Sequence, residues 1–373
     1  MHKEILFPSS TGRRKIVRTA HGTLETPFFM PDATMAAVRG IEPQAIHEAG
    51  IEAIVVNTYH LFLRPGASRI AHFGGVHEFM KWHRPILSDS GGYQVYSLIH
   101  KHPDSGNVSE EGAVFRSPLD GSTKLLTPEH SIDIQFELGV DMMVCLDDPR
   151  PNDTSRDDLA RAVDRTIRWA ARCKARFEER LTKHPQKIRP LLFGVIQGGM
   201  EADLRARCAE ALVDIGFDGY GFGARHLDME GNFLEDIVRE TAKSIPDSSL
   251  RFALGIGTPS DIVRSFALGW DMFDCVIPTR EGRHGRAFLR NRGVPISGDF
   301  YHAENISAER FSEDRSPLDP FCGCLACSAG FSRGYIRHLL VGKEPLGARL
   351  LAIHNLFFYA DLLRELKTSI EAS

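Results

Sequence analysis

The feature that most constrains this chain is a repeated pattern of short apolar runs, each ending in polar residues and separated by longer amphipathic stretches. The runs are FFMPDA (28–33), IVVNTYH (54–60), PILSDSGG (85–92), MMVCLDD (142–148), LLFGVIQGG (191–199), GYGFGA (219–224), RFALGIG (251–257) and MFDCVIP (272–278). Runs this short and this apolar read as strands of a buried parallel sheet. Helix-start signals open the stretches between them: Thr127-Pro128-Glu129, Asp153 ahead of the 155–181 stretch, and Thr258-Pro259 before Asp261. Eight alternations within roughly 250 residues predict an α/β fold of the (β/α)8 TIM-barrel type. No Gly-rich dinucleotide turn follows an early strand, which argues against an open doubly wound sheet. There is no internal repeat, low-complexity tract or flexible linker.

The barrel gives the polar strand ends a meaning. Active sites of such barrels lie at the C-terminal ends of the strands, and here those ends carry Asp89, Asp147, Gln197 and Asp274. Three carboxylates converging on one mouth would be costly as core and natural as a site. Domain boundaries follow: a barrel with a short N-terminal extension over 1–284, an inserted subdomain over 285–356, and a closing helix over 357–373.

Charge and apolar patterning narrow the function. The chain has 45 Lys and Arg against 49 Asp and Glu, a formal charge of -4, so any contact with nucleic acid must come from a local basic patch. No run approaches the ~18 apolar residues of a membrane span, and MHKEILFPSSTGRRK has no signal-peptide core, so a cytoplasmic enzyme away from membranes is expected. A basic patch is available in Arg280, Arg283, His284, Arg286, Arg290 and Arg292, directly after Asp274.

Of seven cysteines, Cys145, Cys173, Cys208 and Cys275 are scattered and read as reduced, buried thiols. The other three, Cys322, Cys324 and Cys327, crowd into CGCLACS, where soft ligands on a tight loop suit tetrahedral zinc. The fourth donor is His354 in LLAIHNLFF, with His338, nearer in sequence, as the rival. Four protein ligands leave zinc no open position, so one structural Zn2+ is expected.

Several strings occur in order: NTYHLFLRPG (57–66), SDSGGYQ (88–94), FRSPLDG (115–121), FGVIQGG (193–199), DMFDCVIPTREGRHGRAF (271–288), CGCLAC (322–327) and IHN (353–355). Together they resemble the tRNA-guanine transglycosylase family, from about Phe28 to the C-terminal helix. The resemblance implies exchange of guanine at the anticodon wobble position of GUN tRNAs for a 7-deazaguanine, a zinc-bearing insertion after the last strand, and a homodimer. It implies Asp274 as nucleophile and Asp89 as general acid/base. Asp147 and Gln197 would read the base, Gly198 and Gly199 would let the backbone approach it, Tyr93 would stack on it, and Leu254 would line its pocket. Arg280, Arg283, His284 and Arg286 would hold the RNA, with Arg333, Arg337, His338 and Lys343 extending that surface.

The resemblance frays at GFGARHLDMEG (221–231), where the family carries a G-G-L-A-V-G-E-like segment, and at Asp148-Pro149, where many members have Glu-Cys. Arg225 and His226 lining the pocket would add positive charge and disfavour a cationic aminomethyl base. Two rival functions share the motifs: a relative that modifies DNA, and a silent partner subunit that only binds tRNA.

Overall fold

The computed structural model describes residues 12–371. All eight expected strands form: β1 (Phe28–Pro31), β2 (Ile54–Asn57), β3 (Ile86–Asp89), β4 (Met142–Val144), β5 (Leu191–Ile196), β6 (Gly219–Phe222), β7 (Leu250–Ala253) and β8 (Met272–Cys275). They pair in parallel in the order β2-β3-β4-β5-β6-β7-β8-β1. A parallel bridge between Asp32 and Val55 joins β1 back to β2, with the Ala33 N–H donating to the Val55 carbonyl at 2.6 Å. The result is a nearly closed (β/α)8 barrel.

Strand periodicity sorts the side chains. Phe28, Met30, Val55, Leu87, Met142, Val144, Phe193, Val195, Phe252 and Met272 point inward and fill the barrel, and Val17 and Leu24 of an N-terminal hairpin (Ile16–Thr19 with Gly22–Glu25) join that cluster. The alternate residues, among them Phe29, Val56, Met143, Tyr220 and Phe273, belong to the cluster under the surrounding helices.

A polar bolt fastens the hairpin to the barrel. Asp141, just before β4, accepts from the His21 N–H (3.2 Å), His21 Nδ1 (2.9 Å) and the Ile86 N–H (2.9 Å), with His77 Nε2 3.3 Å away. The two imidazoles stack with centroids 3.5 Å apart. Burial works to raise the Asp141 carboxyl, but the hydrogen bonds from His77 and His21 outweigh it and hold it below its usual range.

Helix starts follow the sequence signals, with one shift. Thr127 and Thr258 cap their helices by accepting from the N–H groups of His130 and Asp261, while the long helix Arg156–Lys183 is capped by Ser155 rather than Asp153. The N-terminal hairpin and a three-stranded sheet between β3 and β4 (Gly106–Val108, Ala113–Arg116, Thr123–Leu126) are elements the pattern of runs did not foretell.

After β8 come a short helix, Ile277–Arg283, and a hairpin, Arg286–Arg290 with Tyr301–Asn305, which opens a subdomain with its own apolar core around Ile306, Leu318, Ile336 and Leu350. The expected boundary at 356/357 falls inside one continuous helix, Pro345–Glu371. That helix is long and apolar enough to cross a bilayer, but most of its apolar window is buried, with Leu351 in the subdomain core and Leu356, Tyr359, Leu362 and Leu366 in the core around the barrel.

Candidate active site at the barrel mouth

The residues expected at the mouth continue the inward rows of the core. Leu87 leads to Asp89, Val195 to Gln197, Phe252 to Leu254 and Met272 to Asp274. The same step of two carries Met30 to Asp32 and Val55 to Asn57, residues that the sequence reading passed over.

Asp89 is held by donors. Its Oδ1 accepts from the backbone N–H groups of Thr58 (3.0 Å) and Gly91 (3.2 Å), and its Oδ2 from the Asn57 amide. Burial nevertheless pushes its carboxyl up to about 7, against the Thr58 hydrogen bond and with help from the charge of Asp32. Asp274 accepts from the Gly255 N–H at 2.8 Å, and burial followed by the charges of Asp32 and Asp89 raises it to about 8. Asp32 is raised to about 6 by burial, with Arg280 pulling the other way. Three neighbouring carboxyls of this kind share protons near neutral pH, so one can be ionised while another keeps its proton. Asp274, the higher of the two, holds its proton longest, so the pair with Asp274 ionised and Asp89 protonated is a minor form that the shared titration still populates.

A second group of residues follows β4 and β5. Gln197 Nε2 donates to Asp147 Oδ2 at 2.7 Å, which leaves the buried Gln197 Oε1 without a partner. The resemblance assigned the Gln197 amide to a base carbonyl; one of its N–H groups is spent on Asp147, and its oxygen is left as a free acceptor. Burial raises Asp147 to about 6 against that hydrogen bond. Gly198 and Gly199 have φ of +142° and +55°. At Gly198 a Cβ would meet both the side chain and the backbone N of Arg205 at 2.7 Å, so the close approach glycine permits here is to the start of the helix Ala202–Ile215.

Arg205 is another functional-site residue that sequence reasoning missed. It is 3% exposed, has no carboxylate partner among the described residues, and donates to the carbonyls of Gly199 (2.7 Å), Ile196 (3.3 Å) and Gly223 (2.8 Å). Its guanidinium lies 4.2 Å from the centre of the Phe222 ring, and burial lowers its pKa to about 10. One side chain thereby pins the loops after β5 and β6. Gly223 is needed too, because a Cβ there would lie 2.5 Å from the Gln197 amide.

The remaining expected residues divide. Tyr93 is 67% exposed on the first turn after β3, and Leu254 packs over Gly221. Asp148 is buried and paired with Arg150 and Arg165, which explains its presence without substrate. Ala224 adopts φ +70°, an unusual conformation for a residue with a Cβ. His226 Nε2 is 3.3 Å from an Asp261 carboxylate oxygen, so that ring nitrogen is already engaged, and Arg225 is exposed.

At the rim, Arg283 is half-buried with an unpartnered Nη1. Its pKa falls through burial and through repulsion by Arg39 and Arg280. Arg39, from the loop after β1, thus joins the expected Arg280 and Arg283 in a cationic patch that sequence reasoning did not include it in. His284 is exposed beside them. Further along the run the charges are neutralised: Arg286 by Glu281, Arg290 by Glu365, Arg292 by Asp319. Arg333 and Arg337 likewise hold Leu318, Ala308 and Glu309 within the subdomain.

The cysteine loop and the last helix meet as a metal site. Cys322, Cys324 and Cys327 each place Sγ 3.5 Å from His354 Nδ1. A tetrahedral zinc with ordinary Zn–S and Zn–N bonds sets that separation at about 3.6 Å. His354 Nε2 donates to the Phe288 carbonyl at 2.8 Å, which fixes the tautomer and leaves the Nδ1 lone pair for the metal. The rival His338 is exposed on the helix Arg333–Val341. The four residues therefore form a buried site that fits one structural zinc ion.

That site also braces the mouth. The neighbouring Asn355 donates to the carbonyls of Pro278 (2.9 Å) and Arg286 (3.0 Å) and accepts from the Phe288 N–H (2.9 Å). Tyr359 donates to the Gly257 carbonyl at 2.6 Å, and Gly282 lets the helix after β8 press on Ala352. The metal helix thus grips the segments on either side of Asp274.

Residues 9–373 match the family model described as queuine tRNA-ribosyltransferase. Curated relatives of that name include those of Halothermothrix orenii, 41% identical over 100% of this chain and 92% of the relative, and Syntrophobacter fumaroxidans, 40% over 98% and 92%. That of Desulfosudis oleivorans is 42% identical over 98% of this chain and 90% of the relative. With a nearly closed barrel, a carboxylate-lined mouth and a Cys3His metal site behind it, the chain belongs to the queuine tRNA-ribosyltransferase family.

Proposed function

We propose that the chain exchanges guanine at the wobble position of GUN tRNAs for a 7-deazaguanine through a covalent intermediate on Asp274. The observation that carries this is what the mouth gathers: the buried carboxyls Asp274 and Asp89, which act on each other through their charges, and the hydrogen-bonded Asp147–Gln197 pair that follows β4 and β5. Ionised Asp274 attacks the ribose anomeric carbon as the bond to guanine breaks, and Asp89 gives its proton to the departing base. Asp89 then takes a proton from the incoming deazaguanine, whose freed nitrogen displaces Asp274. Nothing is oxidised, and no water is consumed. Asp147 and Gln197 Oε1 supply acceptors for the N–H groups of a guanine-like edge.

Tyr93 and Leu254 cover the base, while Arg280, Arg283, His284 and Arg286 hold the RNA, with Arg39 added to them. By its likeness to bacterial members the chain works in the cytoplasm as a homodimer. The test is incorporation of labelled guanine into a GUN tRNA and into duplex DNA of matching sequence, followed by displacement with the aminomethyl, nitrile and queuine bases. Incorporation into DNA alone would favour the DNA-modifying reading. Incorporation into neither would favour a silent partner subunit.

A further inference from the structure

Asp32 is unlike the other carboxyls of the mouth. Among the described residues its carboxylate has no hydrogen-bond or ion-pair partner, whereas Asp89, Asp147 and Asp274 each accept at least one hydrogen bond. Its backbone is fixed by the bridge to Val55 that closes the barrel, and it continues the inward row of Phe28 and Met30.

Its place on the ring indicates what it faces. In the strand order, β8 with Asp274 lies four strands from β4, after which Asp147 follows, and three from β5, after which Gln197 follows. A nucleoside bound between these groups lays its base across the mouth toward Asp147 and keeps its sugar over β8. The strands flanking β8 are β7 and β1. Along its inward row, β7 ends in apolar Leu254, and β1 ends in Asp32. Met30 is the register partner of Asp274, so Asp32 stands two residues, about 7 Å, above the level of the proposed nucleophile on the next strand. A group attacking the anomeric carbon from β8 would thus have Asp32 beside the sugar's hydroxyls. Asp32's oxygens accept hydrogen bonds, and the hydroxyl on the carbon next to the anomeric centre donates one.

We infer that Asp32 accepts a hydrogen bond from the ribose 2′-hydroxyl of the nucleotide being exchanged and so selects RNA over DNA. This rests on the transglycosylase reading. Hydrogen bonds to the hydroxyl next to a reacting anomeric carbon strengthen as positive charge develops in the ring, so the contact assists exchange as well as selecting the sugar.

The experiment compares labelled-guanine exchange in a GUN tRNA with exchange in the same tRNA carrying a single 2′-deoxyguanosine at the wobble position. Wild type, Asp32→Ala and Asp32→Asn are each assayed at the optimum of their own pH profile, where Asp89 can still supply its proton. Taking the ribo-to-deoxy ratio of kcat/KM for each variant cancels the different intrinsic labilities of the two glycosidic bonds. The Asp32→Ala ratio should fall ~10–100-fold below the wild-type ratio, the worth of a hydrogen bond to a charged acceptor, and Asp32→Asn, which keeps an acceptor oxygen, should fall between them. An unchanged ratio, or an equal loss on both substrates, would overturn the inference and assign Asp32 to its neighbours' charge alone. No exchange by wild type on the ribo substrate would overturn the transglycosylase reading and this inference with it.

Discussion

Replacing His354 by alanine should open the zinc subdomain while leaving the barrel folded. The imidazole is 1% exposed, contacts all three cysteine sulfurs through Nδ1, and satisfies the buried Phe288 carbonyl through Nε2. Losing it removes one of four metal ligands from a kind of site that contributes roughly 10–16 kcal/mol of folding free energy in small zinc domains. The orphaned carbonyl costs a further ~1–3 kcal/mol. Losing even half of the metal term is comparable to the whole stability of a typical domain, about 5–15 kcal/mol. The loss is local because the subdomain core around Ile306, Leu318, Ile336 and Leu350 is a cluster separate from the two that build the barrel. Hydrogen exchange by mass spectrometry, with zinc content measured in parallel, should show one zinc per wild-type chain. The variant should lose protection over 286–344 while β1 to β8 stay protected. A zinc-free wild type, or exchange rising evenly through the barrel, would refute the reasoning.

Further outcomes follow from single residues. Arg205→Ala strips the donor from three carbonyls under the base pocket, and it should lower stability by about 3 kcal/mol in urea titration and raise KM for the base. Asp141 is held below its unfolded pKa, so its contribution is present above about pH 4 and lost as pH falls through its folded value. Urea midpoints of Asp141→Asn should accordingly lie below wild type at neutral pH and converge with it in acid. Exchange requires Asp274 ionised and Asp89 protonated, so kcat/KM should be bell-shaped, with flanks at about 7 and about 8 that belong to the pair; Asp32→Asn, by removing a negative charge next to both, should move the bell to lower pH.

The barrel was legible because each strand is a short apolar run that stops at a polar residue, and all eight runs became strands. Asp32 lay inside one of those runs, two positions beyond Met30 as Asp274 lies beyond Met272, and the step of two was the signal that would have found it. Arg205 had no such signal. It stands in a helix with Arg207, and only the fold shows that one is buried under two loops while the other faces solvent. The choice of His354 over His338 depended on which helix face meets the cysteine loop, and separation along the chain points to the wrong residue. The pairing of Arg290 and Arg292 was not legible in the basic run because their partners, Glu365 and Asp319, lie far from it in sequence.

The central claim is covalent catalysis at Asp274, and trapping the intermediate tests it most directly. Wild-type protein incubated with a GUN tRNA and denatured without added base should yield a protein–RNA adduct. Peptide mass spectrometry should place the ribosyl group on Asp274. The adduct should be absent from Asp274→Asn and discharged by free guanine. An adduct that persists in Asp274→Asn, or one mapped to Asp89, would contradict the account.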